Sequence, residues 1–294
     1  MRDKSKLLAV LVLLLVALLG LLLFVSSKHI KPERVEPTPA SRYETASAQT
    51  KEPDPAQVIA CDSTPLHSPS NKNLTSAIQS IAADRGVMIE AAWLREDGSV
   101  ERIGGQETLP AWSTAKVPLA LAATDAGLGG RLSAQISLAL RESDNEAADA
   151  VWNNLGTTDA ERANAVTQVF RTAGDDTTVP SYRIRAGFSV FGQTEWDVHN
   201  QVDFLKKMPC LTGSGQVIED MSNVSPQQRW GLGTLPDAVF KGGWGPDQYG
   251  YVVRQLGWYT GAEGRVPIAF AVRAADFGQG QSVLNQIAAD LEAS

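Results

Sequence analysis

Two cysteines and three histidines are all that the 294 residues contain, and the scarcity excludes much chemistry. Cys61 and Cys210 lie far apart, without the close spacing of a zinc site or a dithiol centre. No metal site and no cofactor site follow from the sequence. His29 and His67 precede the compact part of the chain, so a Ser-His-Asp triad has one candidate, His199, and a histidine metal cluster has none. Positive charge is also short. Lys and Arg number 26 against 33 Asp and Glu, for a net charge of -7. Such a chain lacks the basic face that phosphate backbones require, which argues against nucleic acid as the main partner. There is no internal repeat. What is present is core material: 43% hydrophobic and 20% charged residues, the balance of a globular protein, with length for one large domain or two small ones.

Leu7 to Val25 is an uncharged apolar run, just long enough to span a bilayer. Arg2, Lys4 and Lys6 precede it, which places the N-terminus in the cytoplasm. A cleaved signal peptide is the rival reading. Its apolar core is shorter, about 7–15 residues, and ends in a small-residue site, whereas Ser26-Ser27-Lys28-His29 supplies none. Residues 1–27 are therefore expected to be a transmembrane anchor, and the rest to be extracytoplasmic, or secreted if the segment is cleaved. Val58-Ile59-Ala60-Cys61 has the look of a lipoprotein processing site but lies too far beyond the apolar core. Residues 28–70, punctuated by Pro32, Pro37, Pro39, Pro53, Pro55, Pro65 and Pro69, read as a linker. Outside the cytoplasm Cys61 and Cys210 are expected to pair, tying the linker's end to the domain, against the alternative of two unrelated thiols.

The compact domain is expected over 71–294. An amphipathic helix is predicted from Leu74 to Ala83, then strands Val87–Leu94 and Ser99–Ile103 around an Asp97-Gly98 turn. Helices follow from Ser113 to Ala126, Ser133 to Arg141, Asn145 to Leu155, Ala160 to Thr172 and Asp197 to Met208, with an irregular stretch over Asp175–Gly192. Strands return at Ala238–Lys241, Tyr249–Tyr259 and Val266–Arg273, before a last helix at Gln281–Leu291. Two strands early, three late and helices between predict an α/β (α+β) fold: a five-stranded antiparallel sheet closed by the terminal halves of the chain, with a helical subdomain inserted.

Three short motifs carry chemistry. Ser113-Thr114-Ala115-Lys116 is Ser-x-x-Lys at the head of an apolar helix. Residues three apart share a helix face, so the Lys116 amine lies one turn from the Ser113 hydroxyl. Serine attacks only once its proton is taken, and a buried lysine of lowered pKa can take it. Ser143-Asp144-Asn145, alone, reads as a helix N-cap. Lys241-Gly242-Gly243, alone, reads as the glycine-rich end of a strand.

In that chain order, Ser-x-x-Lys, Ser-Asp-Asn and Lys-Thr-Gly mark class A β-lactamases and penicillin-binding proteins. The sequence resembles this penicillin-recognising serine hydrolase family over about 71–294. The resemblance implies that Ser113 is the acylated nucleophile and Lys116 its proton acceptor or relay. Ser143 passes a proton toward the leaving group, and Asn145 holds the substrate amide. Lys241 and Gly243 line the cleft, Lys241 attracting a substrate carboxylate. The backbone N–H groups of Ser113 and Trp244 form the oxyanion hole. Asp144 points inward as a structural group, and Arg254 either assists with a carboxylate or is an ordinary strand arginine. The substrate is a small molecule or peptide, a β-lactam or a cell-wall peptide.

The sequence also departs from the family. Class A β-lactamases carry Glu-x-x-Leu-Asn on a loop, and its glutamate activates the deacylating water. The corresponding stretch, roughly Asp175 to Glu195, has no such motif. Gly242 replaces the usual Thr or Ser, which removes a hydroxyl worth on the order of 1 kcal/mol to a bound carboxylate. Trp244 adds bulk beside the oxyanion donor. The short interval from Lys116 to Ser143 implies a reduced helical subdomain. These departures keep a second reading open: a catalytically weak or inactive binding or assembly module of the cell envelope.

Overall fold

The computed structural model describes residues 64–292. The anchor expected at 1–27, most of the linker and Cys61 lie outside the described residues. Among those described, no helix is long and apolar enough to cross a membrane. Cys210 is not a free thiol. The compact part begins before Asn71: Leu66 pairs with Arg265, and the His67 N–H donates to the Arg265 carbonyl over 2.9 Å.

The chain opens with helix α1 (Leu74–Arg85), which ends where Gly86 adopts a left-handed φ of 61°. Strands β1 (Met88–Leu94) and β2 (Val100–Ile103) form a hairpin. A 3-10 turn at Trp112–Ala115 runs into α2 (Lys116–Asp125). Four helices follow: α3 (Ser133–Arg141), α4 (Asn145–Asn153), α5 (Asp159–Thr172) and α6 (Val198–Lys207). Each of the last three starts at a polar cap. Asp144 accepts from Ala147 N, Thr158 and Glu161 form a capping box, and Asp197 accepts from His199 N. Asp144 is therefore structural as expected, but as an exposed cap rather than an inward group.

Helix α7 (Ser214–Ser222) was not predicted. No side chain caps it, and it begins after Gly213 at φ 75°. It is held from α3, where Arg141 Nε and Ser137 Oγ donate to the buried Asp220 carboxylate over 2.6 and 3.1 Å. The chain closes with β3 (Val239–Pro246), β4 (Tyr251–Gly261), β5 (Gly264–Ala274) and α8 (Phe277–Glu292). All neighbours are antiparallel, in the order β2-β1-β5-β4-β3. The expected five-stranded sheet is the one observed.

Strand β3 runs five residues beyond its predicted end at Lys241. Glycine has no side chain to alternate, so Gly242-Gly243-Trp244-Gly245 gave no strand periodicity. The pairing shows the strand plainly, with Lys241 opposite Leu256 and Gly243 opposite Arg254.

Alternation along the strands divides the core. Val266, Ile268, Phe270 and Val272 of β5 pack toward α1 and α8, with Ile78, Ile81, Leu284 and Ile287. Ala269 and Ala271 of β5 and Ala92 of β1 face the helical block with Val202, Phe204 and Leu205 of α6. Small residues on that face admit the helices and the Ser113 turn close to the sheet. One large side chain interrupts the pattern. Arg254 of β4 is fully buried and donates to the carbonyls of Leu109, Pro110 and Trp196 over 2.8, 3.0 and 2.7 Å. Burial lowers its pKa to about 9, against the raising influence of Asp197, so it stays charged at neutral pH. Neither earlier reading of Arg254 holds. It binds backbone and fixes the segment that leads into Ser113.

Replacing Arg254 by Leu strands three carbonyls, at about 1–3 kcal/mol for each buried group left unpaired. The melting temperature followed by circular dichroism is expected to fall by roughly 6–12 °C, the equivalent of about 3 kcal/mol in a domain of this size. An unchanged melting point would refute this role.

Candidate active site

The site starts at a strained residue. Trp112 is bulky, yet it adopts φ 49°, a region costly for such a side chain. Its ring is held edge-on by Phe188 at a centroid distance of 5.1 Å, with the Arg185 guanidinium over it at 5.1 Å. The turn this creates presents Ser113 at the head of the 3-10 turn and α2. There the Thr114 N–H donates back to the Ala111 carbonyl over 3.0 Å, while the N–H groups at a helix start otherwise lack intrahelical partners. The Ser113 hydroxyl is partly exposed and opens into a cleft of about 290 Å³, which Ser143, Asn145 and Trp244 also line.

Lys116 is buried, one turn on. Its amine donates to the Ser143 carbonyl over 2.5 Å and to Asn145 Oδ1 over 2.8 Å, and it lies 3.4 Å from Ser143 Oγ. No hydrogen bond joins it to Ser113 Oγ among the described residues. Ser143 carries its own strain, at φ 56°. That backbone turns its carbonyl to Lys116 and its hydroxyl to Lys241, whose amine reaches Ser143 Oγ over 2.9 Å and the Gly242 carbonyl over 2.9 Å. Ser113, Lys116, Ser143, Asn145 and Lys241, drawn from three separated segments, thus meet in one place.

The electrostatics follow from burial. Desolvation is the main influence on Lys116 and lowers its pKa to about 8, against the raising pull of Asp144 and Asp149. Lys241 is pushed well below the ordinary lysine value, by burial first and by the nearby Lys116 second. Two buried amines near one hydroxyl cannot both hold a proton cheaply. The cluster can therefore accept a proton near neutral pH and pass it through Ser143.

Glycine sets the distance between β3 and the Ser113 turn. A Cβ on Gly243 would lie 2.8 Å from Ser113 N and 2.9 Å from Ala111 O and Thr114 N. On Gly245 it would lie 2.6 Å from the Trp112 ring. Ser113 and Trp244, next to Gly243, thereby both border the cleft. The Trp244 indole does not crowd them as expected. It packs against Phe277 and Trp230 at centroid distances of 5.1 and 6.1 Å, within the core layer of α1 and α8. A side chain at Gly242 would also press on the core face of β3. A Cβ there would stand 3.1 Å from the Trp230 ring.

Other predicted groups lie elsewhere. His199 is in the first turn of α6, with Nε2 3.2 Å from Asp203, and does not line the cleft. Asp175 accepts from Trp196 Nε1, Thr177 N and Asn200 Nδ2, Asp176 accepts from Asn200, and Glu195 bridges Pro110. None of these three carboxylates lines the cleft. Two unpredicted charged residues do: Asp149 and Arg183. Asp149 was findable, since it follows Asn145 by one helical turn and so shares its face. Arg183 sits in an irregular loop and carried no signal.

Comparison with solved structures gives the fold. The fold matches the TLA-1 extended-spectrum β-lactamase with a TM-score of 0.61 and 17% identity, over 76% of this chain and 98% of that one. A β-lactamase from Chitinophaga pinensis matches at 0.60 and 17%, over 74% and 97%. A structure described as PBP-A matches at 0.60 and 18%, over 78% and 98%. No family model and no curated protein matches the sequence. The chain has the fold of class A β-lactamases and penicillin-binding-protein-like serine hydrolases.

Gly243→Ala is expected to force β3 away from the Ser113 turn, because the atoms it meets are backbone and cannot rotate aside. A displacement near 1 Å costs about 100-fold in rate where geometry governs chemistry. Acylation by a fluorescent penicillin should fall by that order. Undiminished labelling would show that the approach is not needed.

Proposed function

We propose that this protein is a membrane-anchored, extracytoplasmic serine hydrolase that acts through an acyl-enzyme at Ser113 on an amide or ester, a β-lactam or a cell-wall peptide. The observation that carries the reading is the convergence of two buried amines, Lys116 and Lys241, on Ser143 Oγ beside the Ser113 turn. The extracytoplasmic placement rests on the apolar run Leu7–Val25 and its basic flank.

In this reading neutral Lys116 takes the Ser113 proton, and Ser113 Oγ attacks the substrate carbonyl carbon. The oxyanion is held by the N–H groups of Ser113 and Trp244, each such donor being worth about 10²–10³ in rate. Ser143 delivers a proton to the departing nitrogen or oxygen and recovers one from the lysine pair. Asn145 orients the substrate amide. Lys241 keeps the cleft positive for a carboxylate. The 175–195 loop places no carboxylate in the cleft, so no loop base of the Glu-x-x-Leu-Asn kind speeds deacylation and the acyl-enzyme is expected to be long-lived.

A second reading, a binding module on the same scaffold, is favoured by one observation. The Lys116 amine is engaged by the Ser143 carbonyl and Asn145, not by Ser113.

Intact-mass analysis after exposure to a fluorescent penicillin separates the two. Wild type is expected to gain one adduct, and Ser113→Ala none. The acylation rate should rise with pH and level off above about 8, where the folded-state Lys116 has lost its proton. A base must be unprotonated to act, so the limb rises rather than falls. Absence of any adduct on Ser113 favours the binding module.

A further inference from the structure

An acyl-enzyme turns over only if water attacks the ester, and water at neutral pH needs a base to take its proton. The described lining of the Ser113 cleft contains a single carboxylate, Asp149. It lies on α4, four residues after Asn145 and therefore on the same helical face. Among the described residues no hydrogen bond or ion pair engages it, unlike Asp175, Asp220 and Asp247, which accept from several groups each. Its side chain is exposed to solvent at the mouth of the cleft, and the partial desolvation there still raises its pKa, while Arg183 and Lys116 oppose the shift. Lys116, the other nearby base, is less available, since Ser143 and Asn145 occupy its amine.

We propose that Asp149 is a catalytic residue for deacylation, the base that activates water against the Ser113 ester, with α4 supplying the group that the 175–195 loop does not. This rests on the Ser113 acyl-enzyme reading. The carboxylate takes one proton as the water oxygen bonds to the acyl carbon. The tetrahedral intermediate then collapses, the carbon–Oγ bond breaks, and the proton passes to Ser113 Oγ. A carboxylic acid leaves, and Asp149 and Ser113 are restored. Arg183, which lines the same cleft, opposes the rise in the carboxylate's pKa and so favours its ionised form.

Asp149→Asn keeps size and polarity but removes the base. Wild type, Asp149→Asn and Arg183→Ala are each pulsed with a fluorescent penicillin and with a p-nitrophenyl ester, and the adduct is followed by intact mass. Asp149→Asn is expected to acylate within a few-fold of the wild-type rate, which also certifies its fold, and to hold the adduct at least about 100-fold longer. Arg183→Ala should release it far faster than Asp149→Asn does. Release from Asp149→Asn at the wild-type rate, or its failure to acylate, overturns the assignment and leaves the Ser113 reading standing. Equal retention by Arg183→Ala also overturns it, since Asp149 would then act by holding the loop. No adduct on wild type or Asp149→Asn, together with no p-nitrophenol release from wild type, defeats the Ser113 reading itself, and this one with it.

Discussion

Two lysine amines, both removed from solvent, meet at one serine hydroxyl, and much of the molecule is arranged to make that tolerable. Burying a single ammonium is costly, and burying two side by side is costlier, because each repels the other's charge. The structure answers by lowering the proton affinity of both and by offering fixed oxygens: the carbonyls of Ser143 and Gly242, the Asn145 amide and the Ser143 hydroxyl. The positive φ at Ser143 is the backbone cost of aiming two of those oxygens at two different amines. A site that releases a proton easily is the direct consequence.

The second constraint is the closeness of β3 to the turn carrying Ser113. Glycines at 243 and 245 permit it, and the clamp of Arg254 on the carbonyls before Ser113 holds the other side. Trp112, forced into a left-handed conformation between Phe188 and the space over Gly245, completes the wall. Rigid backbone on both sides of the cleft suits chemistry in which donors must be placed before charge develops. The aromatic group of Trp230, Trp244 and Phe277 lies behind β3. Bulk that the sequence placed in the cleft is spent on the core instead.

Much of the architecture was legible from the chain. The strands β1, β4 and β5 are largely apolar runs buried along most of their length, the helices α4, α5 and α6 begin at polar caps, and the order of the elements implied the sheet. What escaped had weak local signals. Helix α7 lacks a capping side chain, and its partner is the distant Arg141. The C-terminal half of β3 is glycine, which has no face to show. Arg254 looks like any strand arginine until the three carbonyls that surround it are known.

The sequence alone determined which residue types are present at the site and in what order: Ser113 and Lys116 one helical turn apart, Ser143 to Asn145 at a cap, and Lys241 on a strand. Those are short-range facts, governed by helix pitch and capping chemistry. Only the tertiary structure decided that they share a pocket, that Lys116 turns to Ser143 and not to Ser113, that Trp244 faces away, and that Asp149 stands in the cleft with Arg183. Such outcomes depend on which face of each element the core claims, and tertiary packing settles that among residues tens of positions apart, 27 for Lys116 and Ser143 and 98 for Ser143 and Lys241.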